Sequence, residues 1–390
     1  MKVGFLFNHE QLHQIPHAIS IAYELSNLEK DIEVLIITSS ERQFSYIKEF
    51  ENNYPDHHCD YVEISMPGYI KTICSLFDRA LPVSKIIMLK RNLSVFEQLD
   101  ALVVPEKTSL LLKSHFGLTH LKYILTTHGS GDRKFGFNKG KGKCDLLFLS
   151  GEKVRKRMEK EGVLATTESC IIGYPKFDAV NALSGTKQPL FENDRLTVVY
   201  NPHFSPNVSS WYKMGLEILE YFYTNDKYNL IFAPHIMLYT RKMHFSEEQK
   251  SSIGWVKPVP EKYFNCPHIL IDTDSIACTD MTYTLGADIY MGDVSSQYHE
   301  FLINPRPSIF INAHQLDWEK DESYQNWHTG TVVDNIQNLE DGLQQAINDH
   351  KQFLARQQEL FNATFELTDE TSSKRAARAI SVFLQTSLSL

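Results

Sequence analysis

Apolar residues group along this chain in short runs that are separated by amphipathic stretches. Continuous apolar runs of roughly four to eight residues between turn residues are typical of buried strands, and apolar positions three or four apart are typical of helices. In the first half, the pattern predicts strands at 3–7, 32–38, 101–104, 123–126, 145–149 and 170–172, and helices ending near residues 27, 50 and 161. Strands that alternate with helices predict βαβ units and a parallel sheet.

A polar stretch at 182–193 is followed by a second series of the same kind. Its runs predict strands at 196–200, 228–233, 269–271, 288–291, 308–311 and 330–333, and helices over 211–223, 339–361 and 371–385. A chain of 390 residues is too long to fold around one small hydrophobic core. We predict an α/β protein of GT-B type, with two Rossmann-like domains facing a central cleft. The predicted domains are two Rossmann-like domains, N-terminal (1–182) and C-terminal (194–365), followed by a C-terminal helix (371–390) that packs back on their junction.

The stretch 287–312 contains the clearest candidate for a phosphate site. A predicted strand ends at Gly292 and Asp293, and Ser295 and Ser296 open a short helix before the next strand. A helix start presents free backbone N–H groups and the positive end of a helix dipole, which favour phosphate. An ordinary αβ connection with a serine N-cap is the alternative interpretation.

Three histidines also follow predicted strands. His128 stands between a strand and a glycine, where small residues allow a ligand to approach and an imidazole can accept a proton. His203 and His235 each end the pattern of apolar strand, proline and histidine, which puts them at the carboxyl edge of a sheet. With Ser295 and Ser296 on the same edge, they predict a phosphate-facing cluster. For His128, a turn histidine exposed by chance is the alternative.

The N-terminal segment from His9 to His13 matches HExxH, the zinc-protease signature. That chemistry needs both histidines on one face of a stable helix, whereas here the motif directly follows a strand and Pro16 comes three residues later. We therefore interpret it as a strand-end loop in which His9 or His13 contacts substrate. Metal-ligand spacing is absent elsewhere, and Asp272 and Asp274 fit a turn after a strand.

A basic run at 133–143 carries five Lys or Arg residues among glycines. It lacks the first glycine of a Walker A loop, and Cys144 follows Lys143 where that motif needs Ser or Thr. The functional interpretation is a mobile loop that meets an anionic acceptor or a lipid headgroup, with Arg133 at its start. A solvated lysine-rich loop is the alternative.

Composition narrows the class of protein. A net charge of −9 argues against a dedicated nucleic-acid binder, because phosphate neutralisation needs a basic surface. Six cysteines without a CxxC pair indicate neither a disulfide framework nor a zinc knuckle. The N-terminus is not typical of a signal peptide, and no window approaches a transmembrane helix. We expect a cytoplasmic protein, and peripheral contact with the inner face of a membrane stays an open alternative.

Five short motifs in register resemble the CDP-glycerol glycerophosphotransferase family of teichoic-acid and capsule assembly, which has a GT-B fold. The family motif HGTPLK is similar to HGSGDR at 128–133, and its GYP[RK]xD segment is similar to GYPKFD at 173–178. The strand end APTF resembles NPHF at 201–204, and a KxHP-type histidine corresponds to His235. The family's TDYSS segment is similar to GDVSS at 292–296.

The resemblance implies a role for each candidate residue. His128 would be the catalytic base, and His235 would stabilise the donor pyrophosphate. Donor binding would fall to His203, Asp293, Ser295, Ser296, Gln297 and Glu300, and acceptor binding to His9, His13 and Arg133. No metal and no cofactor are implied, since the nucleotide-activated donor is itself a substrate.

The function expected from the resemblance is a metal-independent transferase. It would move a glycerol-phosphate, polyol-phosphate or sugar unit from a CDP- or CMP-linked donor to a polysaccharide, teichoic-acid-like or lipid-linked acceptor by in-line displacement. Three alternatives stay open: a nucleotide-sugar glycosyltransferase, a nucleotide-sugar epimerase with the same fold, and a degenerate binding module.

Overall fold

The computed structural model describes residues 1–9, 11–75, 83–184, 189–246 and 251–388. The chain divides into two compact units. The first comprises Met1–His128, Phe137–Asn181 and Phe365–Leu390, and the second comprises Gly129–Gly136 and Ala182–Thr364. The structure thus counts residues 129–136 with the second unit, whereas the prediction placed them in the first domain.

The first unit is built on a seven-stranded parallel sheet in the order β3-β2-β1-β4-β5-β6-β7. Its strands read as continuous apolar runs because helices cover both faces of a parallel sheet. The exceptions are the edge strands, β3 with the sequence DYVE and β7 with ESCI, and the apolar pattern does not predict β3. The strands are β1 (Lys2–Phe7), β2 (Glu33–Thr38), β3 (Asp60–Glu63), β4 (Ala101–Val104), β5 (Lys122–Leu125), β6 (Leu146–Leu149) and β7 (Glu168–Ile171).

Nine α-helices accompany this sheet within the described residues. They are α1 (Ile19–Leu28), α2 (Glu41–Phe50), α3 (Gly68–Ser75), α4 (Val83–Arg91), α5 (Leu93–Glu97), α6 (Leu111–Ser114), α7 (Glu152–Lys160), α8 (Pro175–Ala179) and α14 (Ser372–Leu388). Pro16 lies in a 3-10 turn, Leu12–His17, that precedes α1. The C-terminal helix α14 packs on α1 and α8, where the Ser373 hydroxyl donates to Asp178 at 2.7 Å.

The second unit has a six-stranded parallel sheet in the order β12-β9-β8-β13-β14-β15 and a separate antiparallel pair, β10-β11. Its strands are β8 (Thr197–Asn201), β9 (Asn229–Phe232), β10 (Met243–Ser246), β11 (Ser252–Trp255), β12 (Ile269–Ile271), β13 (Ile289–Gly292), β14 (Ser308–Ile311) and β15 (Thr331–Val333). Its helices are α9 (Trp211–Thr224), α10 (Thr282–Gly286), α11 (Ser296–Phe301), α12 (Leu339–Asn348) and α13 (His350–Thr364).

Two features of the second unit differ from the sequence prediction. The β10-β11 pair was not predicted, and the helix expected over 339–361 is two helices that separate at Asp349. Asparagine and aspartate compete with helical hydrogen bonds through their short polar side chains, which explains the break at Asn348 and Asp349. The α/β class with two parallel sheets is confirmed. None of the described helices has the length and apolar composition needed to cross a membrane.

Candidate functional site

Each sheet has a point at which the strand order reverses, and three candidate residues follow strands that border such a point. In the first sheet the reversal lies between β1 and β4, and in the second between β8 and β13. Ligands of open α/β sheets bind beyond the carboxyl ends of the strands at such points. His9 follows β1, whereas His203 follows β8 and Asp293 follows β13.

In the first unit, imidazole rings gather around His128. The His13 ring lies 5.8 Å from the His128 ring, and the His17 ring lies 6.5 Å from it. His17 also packs edge-on against Tyr174, with 5.1 Å between the ring centres. Burial, followed by the charge of Lys176, lowers the pKa of His17 well below its usual value. This histidine, which sequence reasoning missed, is therefore neutral and supports the cluster by packing.

A buried ion pair lies beside this cluster, after β4. The Lys85 ammonium contacts the Glu106 carboxylate, and both side chains are largely buried. Burial raises the pKa of Glu106, but its hydrogen bonds and attraction to Lys85 outweigh this and lower the pKa overall. Burial and then Lys85 lower the pKa of His9 to about 4. His9 is thus a neutral histidine near physiological pH.

His128 has the geometry of a proton acceptor. Its Nδ1 lies 3.0 Å from the Pro105 carbonyl oxygen. Since a carbonyl can only accept, Nδ1 carries the hydrogen and the lone pair of the neutral ring is on Nε2. Desolvation by the surrounding protein, followed by the charge of Lys141, lowers the pKa of His128. The residue is nevertheless exposed to solvent. The ring is therefore unprotonated and accessible near neutral pH.

In the second unit, Asp293 fixes the strand ends on both sides of the reversal. Its Oδ2 accepts hydrogen bonds from the backbone N–H of His203 at 2.9 Å and of Ser210 at 3.0 Å. Ser210 is the residue just before α9, so the carboxylate also caps that helix. Asp293 is completely buried, and burial raises its pKa to about 7. Its position is that of a residue that orients the His203 loop.

Three cationic or imidazole side chains meet beside that loop. Nη1 of Arg133 lies 2.6 Å from Nε2 of His203, and the backbone N–H of Ser205 donates to its Nδ1 at 2.9 Å. The His235 ring is 5.1 Å from the His203 ring. Burial and then Arg133 lower the pKa of His203 well below its usual value. A neutral imidazole can accept only one of the two hydrogen bonds offered to it, so this edge has an excess of donors.

The same segment that carries Arg133 lies over the start of α11. Gly129 has φ +73°, and a Cβ there would come within 3.1 Å of the Ser296 hydroxyl oxygen. A Cβ on Gly131 would lie 3.5 Å from the Ser296 backbone nitrogen. Ser295 caps the helix, since its hydroxyl accepts from the Gln297 N–H at 3.2 Å. Gly129 thus allows the close approach at this point, whereas a Cβ on Gly131 would make only an ordinary van der Waals contact.

The two remaining residues predicted to bind the donor substrate, Gln297 and Glu300, are held within the protein. The Gln297 side-chain amide donates to the Cys278 carbonyl at 2.9 Å. Glu300 is only 2% exposed. Asp272, set aside from the sequence as a turn residue, accepts from the Tyr283 hydroxyl at 2.6 Å and from the Ser275 N–H at 3.0 Å.

A buried pair that the sequence did not suggest ties the glycine segment to α11. Nε2 of His299 lies 3.2 Å from Oδ2 of Asp132, and both side chains are at most 5% exposed. The residues are 167 positions apart in the chain, so no local motif could have shown the pairing. Arg133 and Asp132 together hold residues 129–136 to the second unit. Arg133, predicted as an acceptor-binding residue, thus lies in the second unit, and its role stays a prediction.

The expected strand-end loop at the N-terminus is present. His9 follows β1, and His13 lies in the 3-10 turn Leu12–His17 and not in an α-helix. Glu10, the glutamate of the HExxH match, lies outside the described residues. Across the described ranges, no group of three His, Cys, Asp or Glu side chains could hold a metal ion.

Comparison with known proteins rests on structure. No protein-family model matches the sequence. A search of curated proteins also finds no match. Among solved structures, the wall teichoic acid polymerase TagF superposes with a TM-score of 0.61 at 13% identity, over 99% of this chain and 90% of that one. The chain has a GT-B fold.

Two further solved structures share this fold. The S. aureus MnaA–UDP co-structure superposes with a TM-score of 0.63 at 13% identity, over 98% of this chain and 97% of that one. A putative UDP-N-acetylglucosamine 2-epimerase from Listeria monocytogenes gives 0.53 at 14% identity, over 100% and 96%. At such low identity the likeness establishes the architecture, so the chemistry must be argued from this chain's own residues.

Proposed function

We propose that the protein is a cytoplasmic GT-B transferase. It moves a glycerol-phosphate, polyol-phosphate or sugar unit from a nucleotide-activated donor to a cell-surface polysaccharide or teichoic-acid-like acceptor. The observation that carries the proposal is the donor-rich edge of the second sheet, where Arg133, His203 and His235 meet beyond β8 and β9.

The donor's phosphates are the natural ligand for that edge. The Arg133 guanidinium has only donors to offer, and its planar fork suits phosphate oxygens. Nδ1 of His235 accepts from the Met237 N–H at 3.2 Å, so its Nε2 carries a hydrogen and is also a donor. An anion placed here would accept hydrogen bonds from Arg133 and from Nε2 of His235. Ser296, at the start of α11 beneath Gly129 and Gly131, lies on the same unit and would add a hydroxyl.

The base in this proposal is His128. An acceptor hydroxyl attacks the donor, the bond to the leaving nucleotide breaks, and the hydroxyl proton passes to Nε2 of His128. Arg133 neutralises the charge that develops on the nucleotide phosphate, and His235 stabilises it by donating a hydrogen bond. Asp293 acts by holding the His203 loop, and Asp132 and His299 act by holding the segment that follows His128.

The TagF structures support this choice of reaction class, since one of them was soaked with CDPG. A cytidine diphosphate-linked donor is therefore our first choice. The described cysteines are all free, which fits a reducing compartment. The lipid-linked or polysaccharide nature of the acceptor follows only from the family resemblance.

A nucleotide-sugar epimerase is the second candidate. It is favoured by the likeness to the putative UDP-N-acetylglucosamine 2-epimerase, which spans nearly the whole of both chains. Epimerisation needs no acceptor hydroxyl, so the two reactions differ in what His128 must do and in which nucleotide the second unit binds.

A thermal-shift panel with CDP, CMP, UDP and GDP distinguishes the candidates. We expect CDP to raise the unfolding temperature of the wild type most, and Arg133→Gln to lose most of that rise. Arg195→Gln, at an exposed arginine of the same unit, is the matched control. Stabilisation by UDP alone would contradict the cytidine donor and favour the epimerase. Stabilisation that Arg133→Gln leaves intact would contradict the phosphate site.

A further inference from the structure

The β10-β11 pair exposes its large hydrophobic side chains to solvent and turns its small and polar residues toward the protein. An antiparallel pair that packs on a core normally turns its apolar side chains inward. Here cross-strand partners Met243 and Trp255, and Phe245 and Ile253, share the outward face. The inward positions between them are small or polar, namely His244, Ser246, Ser252 and Gly254.

Contacts on the inner face fix this orientation. The Ser246 hydroxyl accepts from the Ser205 hydroxyl at 3.0 Å, and His244 Nε2 lies 2.9 Å from the Leu238 carbonyl. Gly254 lies so close to Tyr212 that a Cβ would come within 2.5 Å of its ring. The hairpin therefore cannot turn over to bury its large side chains without breaking these contacts.

The outward face of the hairpin exposes a large apolar area. Met243, Phe245, Ile253 and Trp255 are 43%, 58%, 61% and 69% exposed. Since a large side chain offers roughly 150–250 Å², together they present on the order of 500 Å² of mostly apolar surface. Contiguous apolar patches of this size on a monomer mark interaction sites. A stable dimer, however, needs about 800 Å² per partner, which this face alone does not provide.

Positive charge flanks the apolar face. Arg241 and Lys242 directly precede β10, Lys257 follows β11 by two residues, and all three are exposed. The chain as a whole carries a net charge of −9, so this concentration of cations runs against the general charge. Tryptophan and phenylalanine flanked by lysine and arginine is the composition that suits the interface of an anionic bilayer.

We propose that this hairpin face, formed by Met243, Phe245, Ile253 and Trp255 with Arg241, Lys242 and Lys257 at its base, docks the protein on an anionic lipid surface. The apolar side chains enter the headgroup region while the cations contact lipid phosphates. This inference does not depend on the transferase chemistry.

Vesicle sedimentation tests the proposal. Wild-type protein is mixed with vesicles of phosphatidylcholine alone and with vesicles of phosphatidylcholine and phosphatidylglycerol. We expect binding to the anionic vesicles only, with a blue shift of Trp255 fluorescence that Trp255→Phe abolishes. The double variant Phe245→Ser/Trp255→Ser should bind at least about 10-fold more weakly. Lys242→Gln/Lys257→Gln should lose about fivefold per lysine, and added salt should weaken the wild type.

Matched variants show whether the effect belongs to this face. Val382→Ser removes an exposed apolar side chain on α14, and Lys30→Gln/Lys156→Gln removes two exposed lysines of the first unit; both should bind as the wild type does. Unchanged unfolding temperatures show that each variant is folded. Failure to bind anionic vesicles, or equal binding by the hairpin variants, would overturn the proposal. So would a concentration-dependent dimer that Phe245→Ser/Trp255→Ser converts to monomer, because the face would then bind a second copy.

Discussion

The edges of the two parallel sheets use similar residues but differ in charge balance and access. In the first unit, the exposed residue His128 donates through Nδ1 to a carbonyl and keeps a lone pair on Nε2. In the second, His203 is 6% exposed and faces donors from Arg133 and from the Ser205 backbone. An accessible lone pair suits proton transfer, whereas an excess of buried donors suits an anion. The comparison shows that the partners of a histidine, more than its presence at a strand end, decide its chemistry.

The largest expected effect comes from removing the proton acceptor of the first unit. His128→Ala should lower the transfer rate by about 10²- to 10⁴-fold, the usual contribution of a general base. Binding of CDP should stay as in the wild type, because the phosphate site belongs to the other unit. Nucleotide release in the presence of acceptor measures the first quantity, and calorimetry measures the second.

His120→Ala is the matched control for that variant, since His120 is an exposed histidine of the same unit. It should leave both quantities unchanged. Full transfer activity in His128→Ala would refute the base assignment, and a loss of CDP binding there would remove the contrast between the two edges.

The second prediction concerns the donor-rich edge. Arg133→Gln should weaken CDP binding by about 10- to 100-fold, because a hydrogen bond to a charged group contributes roughly 1.5–3 kcal/mol. Loss of this cation should also let the pKa of His203 rise, since Arg133 is the main charge that lowers it after burial. Titration of the histidine ring by NMR checks the pKa, and an unchanged dissociation constant for CDP would contradict the phosphate assignment.

The third prediction uses the raised pKa of Asp293, about 7. Between its ordinary value of 3.8 and about 7, the folded state holds a proton that the unfolded state has lost. This group therefore makes the free energy of unfolding fall as pH rises through that window. Asp293→Asn should remove that slope. Burying an unsatisfied amide hydrogen should also lower the overall stability by about 1–3 kcal/mol.

Urea denaturation at several pH values from 4 to 8 measures the difference between wild type and variant. Taking the difference cancels the opposite slope of buried neutral histidines such as His17 and His203, whose lowered pKa values make stability rise with pH. Parallel curves for the two proteins would show that Asp293 is ionised in the folded state across the range.

The smallest expected effect concerns the segment that carries Arg133. Gly129→Ala should cost about 1–2 kcal/mol for the left-handed backbone alone, with a further loss from crowding of the Ser296 hydroxyl. Gly117→Ala is an exact backbone control, because Gly117 has the same φ of +73° and nothing within 4 Å of a new Cβ. The difference between the two variants isolates the contact with Ser296, and equal losses would show that this contact has no energetic weight.

Local pattern was enough to predict most of the fold. Strands β1 and β8 are covered on both faces, so their continuous apolar runs are visible in the sequence. The edge strand β3 has no such run, and the outward face of β10-β11 inverts the usual rule. The break at Asp349 was not predicted, because the apolar positions of the two adjacent helices follow one continuous helical pattern.

The site was harder to predict because its chemistry depends on contacts between side chains that are far apart in the sequence. A strand end followed by histidine is a local signal, so the positions of His128, His203 and His235 were foreseeable. The partners that distinguish them were not. Arg133 meets His203 from 70 positions away, and Asp132 meets His299 from 167. Contacts over such sequence separations cannot be recognised from motif spacing. The assignment of residues 129–136 to the second unit depends on these contacts.

A crystal structure with CDP bound tests the central claim most directly. We expect the diphosphate in the second unit, with its oxygens within hydrogen-bond distance of Arg133 and of His235, and with His203 still neutral beside them. Diphosphate density at the His9, His13 and His128 cluster of the first unit, with the Arg133 edge empty, would contradict the account.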